Sequence, residues 1–193
     1  MKNFIFVFLL LFGYEHANAA VKLTLDRDAS IAEFLAIGKP SALKIRGTKG
    51  KPEGQLMIDG EAVKGELLLT LSDFETGIGL RDKHMKEKYL EVEKEGFRQA
   101  KLRIKTLSLP KEFWQSPRPQ TSAFKGILFL HGVEKEIEGA LEIAEAAKDA
   151  LNGVAKFTIL LPDFGISIPS FSGITVAEKV DLEIKFKSRV ESL

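Results

Sequence analysis

Alternation of apolar and polar side chains with a period of two is the feature of this chain that most limits its fold. It is clearest in segment 180–187, Val-Asp-Leu-Glu-Ile-Lys-Phe-Lys, where each apolar residue is followed by a charged one. Successive side chains of a β-strand point to opposite faces, so this segment has one dry and one wet face. The pattern recurs in 66–71, 100–105, 124–131 and 136–143. No strand-length run is apolar on both faces, so we predict an antiparallel sheet with one buried face.

Weaker strand candidates complete an all-β pattern; they lie at 21–26, 30–37, 43–49, 55–59 and 155–161. Glycine and proline predict turns between many of them, among them Lys51-Pro52-Glu53-Gly54 and Asp59-Gly60. Only Leu80 to Leu90 is rich enough in helix formers to predict a helix. Periodicity alone leaves two architectures open, a sandwich and a closed barrel.

The first 19 residues are predicted to be a cleaved secretory signal peptide. Lys2 precedes an unbroken apolar run from Phe4 to Phe12, and Ala17-Asn18-Ala19 is a small-x-small cleavage site. A membrane anchor would need about 20 apolar residues, roughly twice this run. We therefore expect an exported protein whose residues 20–193 form one domain.

Composition excludes several classes of function. The 193 residues include 28 basic and 27 acidic side chains and no cysteine. Charges that nearly cancel provide no field that would attract nucleic acid. The absence of cysteine excludes thiol nucleophiles and disulfides, and a chain of this length can be held together by its core alone.

The polar residues do not form a convincing catalytic or metal site. His84 and His131 lack the paired spacing of zinc ligands. Asp82-Lys83-His84 resembles part of a metal or proton-transfer site, but a polar helix surface is the simpler interpretation. Four glutamates within 134–142 share one strand face, and a solvated outer face explains them better than an acid–base pair does. We predict no catalytic residue and no metal site.

Two apolar residues break the polar face of their strand. Ile127 and Phe129 lie where other strands carry charged side chains. Such a pair is explained equally well by a covering loop and by a homodimer contact. The sequence leaves both interpretations open.

Four stretches together resemble the YceI-like family, bacterial periplasmic, lipocalin-like proteins that bind polyisoprenoids. The run from Asp73 to Met85, Asp-Phe-Glu-Thr-Gly-Ile-Gly-Leu-Arg-Asp-Lys-His-Met, resembles the family's segment after a middle strand. Segments 95–102 and 128–135, and Asp-Phe-Gly-Ile at 163–166 followed by 176–186, agree in order. The likeness extends from about residue 21 to 189 and is loosest between 37 and 55.

The resemblance implies an extended antiparallel lipocalin-like β-barrel of about eight strands, with a short helix after a middle strand and a tunnel inside. A barrel of this size can hold one small ligand. The residues expected to line the tunnel are Leu69, Leu71, Leu102, Ile104, Phe124, Leu128, Leu141, Phe157 and Ile159. Those expected to close its mouth are Leu80, Met85, Tyr89, Phe164 and Ile166.

The resemblance also implies a function, that of a periplasmic carrier, reservoir or stress-related sequestering protein. Its partner would be a long-chain isoprenoid or fatty amphiphile, such as a polyprenyl quinone or polyprenyl phosphate. No other cofactor, no nucleic acid and no stable membrane insertion are expected. Two alternatives remain: a lipid-modifying enzyme that uses His84, Asp82 and Arg81, and a packed barrel with a structural or stress role and no ligand.

Overall fold

The structure is a computed structural model. It describes residues 20–39, 43–60, 62–110, 112–171 and 173–193. The predicted signal peptide, residues 1–19, lies outside the described residues and stays a prediction.

The described residues form eleven β-strands and little helix. The strands are β1 (Val21–Leu25), β2 (Ile31–Lys39), β3 (Leu43–Gly50), β4 (Pro52–Asp59), β5 (Ala62–Thr70), β6 (Gln99–Leu107), β7 (Gln120–Leu130), β8 (Val133–Ala146), β9 (Ala150–Leu160), β10 (Ser170–Phe171) and β11 (Ile174–Ser192). Helix α1 (Gly79–His84) continues as a π-helical turn, Met85–Tyr89, and 3₁₀ turns occupy Leu71–Asp73 and Leu161–Phe164. None of the described helices is long and apolar enough to cross a membrane.

The sheet closes into a barrel because β11 pairs with β9 on one side and with β1 and β2 on the other. The ring runs β1, β4, β5, β6, β7, β8, β9, β11 and returns to β1, with every pairing antiparallel. Strand β2 continues the line of β1, and β3 continues into β4. Strands β1 and β2 therefore act as one long interrupted strand, and β3 and β4 act as another. The closed eight-stranded antiparallel barrel with a short helix after β5 confirms the predicted fold.

The two ends of the barrel differ. The upper end carries α1, the β7–β8 turn and the connection from β9 to β10. The lower end holds the start of β1, the end of β11 and the β6–β7 connection. Its interior is filled by side chains that are almost fully buried: Val21, Ile58, Phe113, Ile143 and Leu151. A barrel of eight strands is narrow enough for such filling.

Two local expectations need correction. The predicted turn at Lys51-Pro52-Glu53-Gly54 is wrong, because Pro52 begins β4 and pairs with Leu69. Proline is tolerated at the first position of a strand, and Gly54 continues the strand at φ 131° beside the Glu66 carbonyl. The predicted helix at 80–90 is confirmed in place, but it begins at Gly79 and changes to π geometry at Met85.

The outer face carries ion pairs between neighbouring strands. Their nitrogen–oxygen distances are 2.6 Å for Arg103–Glu134, 3.1 Å for Lys105–Glu136, 2.5 Å for Lys125–Glu138 and 2.9 Å for Lys156–Glu142. The hydrogen bond that Lys125 donates to the Glu138 carboxylate raises the pKa of Lys125. The glutamates therefore form a charged, solvated surface and not an acid–base pair.

Ile127 and Phe129 also point outward, where long charged side chains flank them. Ile127 is opposite Arg103 and Glu136, and Phe129 is opposite Lys101 and Glu134. Both are half-buried. Such side chains can cover apolar surface with their methylene groups. A homodimer contact through this pair stays a prediction.

Candidate functional site: an apolar cavity with a polar mouth

The upper half of the barrel encloses a cavity of about 390 Å³. Its wall is formed by residues of every strand from β1 to β7 and of β9 and β11, together with residues between 71 and 90 and between 161 and 170. Within the described chain, the polar residues of this wall are Thr76, Arg81, His84, Tyr89 and Ser170. Arg81, His84 and Tyr89 come from the helical segment. Thr76 lies in the loop before α1, and Ser170 begins β10. The cavity is therefore apolar along its length and polar at one end.

Two aromatic side chains mark the floor of the cavity. Phe157 lies on the wall, and its ring packs edge-on against Phe124, with the ring centroids 6.2 Å apart. A Cβ at Gly139 would lie 2.6 Å from the Phe124 ring, so the space at this glycine is taken by Phe124. Below this pair the barrel is filled by core side chains. The cavity therefore does not continue into the lower half of the barrel, whose core side chains are not part of its wall.

The structure brings most of the predicted tunnel and mouth residues together on the cavity wall. These are Leu69, Leu71, Leu80, Met85, Tyr89, Leu102, Leu128, Phe157, Ile159 and Ile166. The predicted residues that lie outside the wall are Ile104, Phe124, Leu141 and Phe164. The first three lie lower in the barrel. Phe164, only 2% exposed, instead anchors the 3₁₀ turn after β9 in the core.

Several wall residues were missed in the sequence prediction. Phe34 and Ala36 come from β2, and Ile45 comes from β3, within the stretch where the family likeness is loosest. Leu182 and Ile184 belong to the dry face of the clearest alternating segment. The period-two pattern therefore contained the signal for the β11 residues, whereas the β2 and β3 residues carried a weaker one.

A hydrogen-bonded cluster holds Arg81 at the mouth. The Asp82 carboxylate accepts hydrogen bonds from the Thr76 backbone N–H at 2.7 Å and from the Thr76 hydroxyl at 2.5 Å. Arg81 Nε donates to Thr76 Oγ1 at 2.7 Å, and Nη2 donates to the Thr76 carbonyl at 2.6 Å. A guanidinium carries five N–H donors, so others remain for a ligand. Among the described residues, no carboxylate forms an ion pair with Arg81.

A second contact spans the rim between the helical segment and the chain before β11. The Tyr89 hydroxyl donates to the Ser170 carbonyl at 3.3 Å and accepts from the Ser170 N–H at 3.2 Å. Met85 and Leu90 line the cavity on the same side. These contacts fix the helical segment over the upper end of the barrel.

His131, in the β7–β8 turn beside the cavity, contacts the turn after β9 and the loop after the helical segment. Its Nδ1 lies 3.1 Å from the Phe164 carbonyl and its Nε2 lies 3.1 Å from the Glu91 carboxylate. The ring packs on Phe97, with centroids 4.2 Å apart. Both nitrogens are thus engaged in protein contacts. In the described chain, no group of three or more histidine, cysteine or acidic residues is placed to hold a metal ion.

Glu91 gives this junction a pH dependence that can be measured. The hydrogen bond from Lys94, followed by that from His131, lowers the pKa of Glu91 from its usual 4.5 despite partial desolvation. The ionised carboxylate therefore favours the folded state above about pH 4.5, and this contribution is lost as the pH falls through the lowered pKa. We expect Glu91→Gln to lower the melting temperature more at pH 7 than at pH 3. A difference that stays constant across thermal melts at these pH values would contradict this assignment.

Comparisons with known proteins agree with this geometry. A polyisoprenoid-binding domain from Saccharophagus degradans implicated in plant cell wall breakdown matches with a TM-score of 0.65 at 15% identity, over 88% of this chain and 98% of that one. Burkholderia cenocepacia BcnA matches with a TM-score of 0.66 at 13% identity, over 87% and 99%. A Campylobacter jejuni YCEI protein matches with a TM-score of 0.58 at 16% identity, over 75% and 84%.

At these identities the solved structures show a shared fold. No curated protein matches the chain. The model of the YceI-like domain matches residues 23–188, which is most of the sequence. The chain belongs to the YceI-like domain family.

Proposed function

We propose that this protein is a periplasmic lipid-binding protein that holds a polyisoprenoid or similar long-chain amphiphile, as a carrier, reservoir or stress-related sequestering protein. The observation that carries the proposal is a cavity whose wall is apolar except at the mouth. An isoprenoid tail offers only CH groups, so its affinity comes from burial of apolar area, at about 25 cal/mol per Å². The printed description of the S. degradans relative as polyisoprenoid-binding supports the same ligand class.

The depth of the cavity suits a long tail. On β11 the wall runs from Ile174 to Ile184. A β-bulge between Val176 and Val180 adds two residues that do not lengthen the strand. At about 3.3 Å per residue and a strand tilt of about 40°, the stretch therefore corresponds to roughly 20 Å along the barrel. The hydrocarbon core of a bilayer is about 30 Å thick and is filled by two opposed acyl chains. The cavity therefore has the length for a tail longer than one leaflet, such as several isoprene units.

The predicted site residues take separate parts in this proposal. Leu69, Leu102 and Leu128 contact the middle of the tail, and Phe157 meets its end. Of the predicted residues that lie off the wall, Phe124 supports Phe157 through the edge-on contact of their rings. Arg81 offers its remaining N–H groups to oxygen atoms of the headgroup, which both a polyprenyl phosphate and a quinone provide. A charged donor favours the phosphate.

Catalysis is not part of the proposal. An enzyme based on Asp82 and His84 would need a carboxylate that is available to the substrate. The Asp82 oxygen that faces Thr76 already accepts two hydrogen bonds from that residue. Asp82 is better explained as the residue that positions Thr76 and, through it, Arg81.

The proposed periplasmic role requires that the protein is exported. We assign residues 1–19 to a signal peptide, which would leave a mature chain that begins at Ala20. Val21, the next residue, starts β1, which closes the barrel against Ser192. Cleavage after Ala19 would therefore leave the barrel intact.

Arg81→Gln tests the proposal through the headgroup. Delipidated protein is loaded with a fluorescent fatty amphiphile, which is then displaced by a polyprenyl phosphate or a prenyl quinone. Loss of a charged hydrogen bond costs about 1.5–3 kcal/mol when desolvated, so at this half-exposed site we expect roughly tenfold weaker binding of the phosphate. Binding of the quinone should change less.

Two results would count against the proposal. Wild-type protein that takes up neither probe nor competitor would exclude lipid binding. Equal loss of affinity for both competitors would show that Arg81 does not select the headgroup.

A further inference from the structure

We infer that the mouth of the cavity docks on the surface of an anionic bilayer, so that lipid passes between membrane and cavity without crossing water. The inference rests on the proposed lipid-binding function and adds the partner from which the lipid comes. It is carried by two features of the rim, its exposed apolar residues and its unpaired lysines.

The first feature is an apolar rim. Leu43, Ile78 and Leu80 line the cavity and are nevertheless 41%, 53% and 56% exposed. A side chain that lines the cavity can be exposed to this extent only if it lies at the opening of the cavity. Gly77 and Gly79 flank Ile78, and, apart from adjacent residues and the backbone of α1 itself, no atom lies within 4 Å of the place where either would carry a Cβ. Ile78 therefore projects from the rim on an uncrowded loop.

The second feature is a set of cations beside this rim. Lys44 follows Leu43, and Lys83, Lys86 and Lys88 follow Leu80 along the helical segment. Within the described residues none of these four lysines forms an ion pair, and Lys88 Nζ lies 5.4 Å from the centroid of the Tyr89 ring. Arg103, Lys105, Lys125 and Lys156 on the outer face of the barrel, by contrast, each pair with a glutamate.

Two of the three acidic side chains in and just before the helical segment already bind other residues of the protein. Glu75 pairs with Lys49 at 2.6 Å, and Asp82 is bonded to Thr76. The remaining acidic residue of the helical segment, Glu87, is exposed. The segment therefore carries an excess of available positive charge.

This combination fits a membrane surface. Apolar side chains that enter the headgroup region and basic side chains that contact anionic lipids are the two attractions that hold proteins at a bilayer interface. The cavity opens within the same surface, so a docked protein would place its apolar wall against the acyl region. A long tail leaving the cavity elsewhere would expose its whole apolar area to water.

The test uses the mature chain, residues 20–193, and flotation with vesicles of phosphatidylcholine alone or mixed with phosphatidylglycerol. We expect binding to the anionic vesicles, weakened by salt, and little binding to the neutral ones. Ile78→Asp should weaken binding roughly tenfold or more, because an apolar anchor is replaced by a charge. Met57→Asp is the matched control, since Met57 is 48% exposed but lies off the cavity wall.

A charge-matched pair of variants isolates the lysines. Lys83→Glu with Lys86→Glu should abolish most vesicle binding. Lys64→Glu with Lys148→Glu changes the net charge equally at the lower end of the barrel and should leave vesicle binding as in wild type. Equal effects of the two double variants would overturn the inference, as would wild-type protein that ignores anionic vesicles and transfers lipid only to a protein acceptor.

The same variants separate this inference from the proposed function. Lys83→Glu with Lys86→Glu should still bind a soluble fluorescent amphiphile, because neither lysine lines the cavity. Loss of vesicle binding with retained amphiphile binding supports docking. Wild-type protein that binds no amphiphile but still floats with anionic vesicles would remove the proposed function and, with it, the transfer of lipid inferred here.

Discussion

Replacement of Ala100 by tryptophan is expected to abolish lipid binding while the barrel still folds. Ala100 lies on β6 opposite Leu69, is 8% exposed and faces the cavity. An indole at this position occupies space that the tail would fill. In a well-packed core an enlarged side chain costs about 1–3 kcal/mol, but here the ring enters open space and we expect a smaller cost. Displacement titration and thermal melting measure the two effects.

Ala123→Trp is the matched control. Ala123 lies on β7 between the inward residues Ser122 and Phe124, and it is exposed on the outer face. Tryptophan is well tolerated in strands, so this variant should bind lipid as wild type does. Ala100→Trp protein that folds and still binds lipid with unchanged affinity would place the ligand outside this cavity.

The second large effect is a difference in stability between the two halves of the barrel. Leu151 is 1% exposed and lies in the filled lower half, so Leu151→Ala should cost about 3–5 kcal/mol. Leu102 is also buried but faces the cavity, where one side of the side chain lacks partner atoms. Leu102→Ala in delipidated protein should therefore cost less, nearer 2 kcal/mol. Urea unfolding of both variants measures the free energies of unfolding.

The ligand state provides a control for this comparison. A ligand that binds only the folded protein stabilises it by RT ln(1 + [L]/Kd), so added lipid should raise the stability of wild type. The unfolding free energies of the two variants should be compared in delipidated protein, and the comparison requires that their m-values are equal. Equal costs at Leu102 and Leu151 would indicate that the upper half is filled in solution.

The fold was largely predictable because alternation is a local property. Segment 180–187 was predicted as a strand with one dry face, and it lies within β11. Its full length, Ile174–Ser192, and its pairing with β1, β2 and β9 were not predictable from periodicity. Register between distant strands depends on contacts that a period of two does not encode. Closure of the barrel was implied by the family resemblance and not by the pattern itself.

Sequence alternation predicts which side chains face the interior of the barrel, but it does not predict their position along the barrel axis. Alternation assigns Phe124 and Leu141 to the inner face, where both are buried. It does not show that they lie below the cavity, because height depends on strand register and on space such as that which Gly139 leaves for Phe124. The cluster of Thr76, Arg81 and Asp82 depends on the bend of one loop. Its hydrogen bonds have no periodic signal in the sequence.

Native mass spectrometry of the mature protein, purified without detergent from the cells that produce it, tests the central claim most directly. We expect a chain that begins at Ala20 and carries one prenyl lipid or another long-chain amphiphile, identified after solvent extraction. A bare protein mass that stays bare after incubation with prenyl quinones and fatty amphiphiles would contradict it. That result would favour a barrel with a structural or stress role and no ligand.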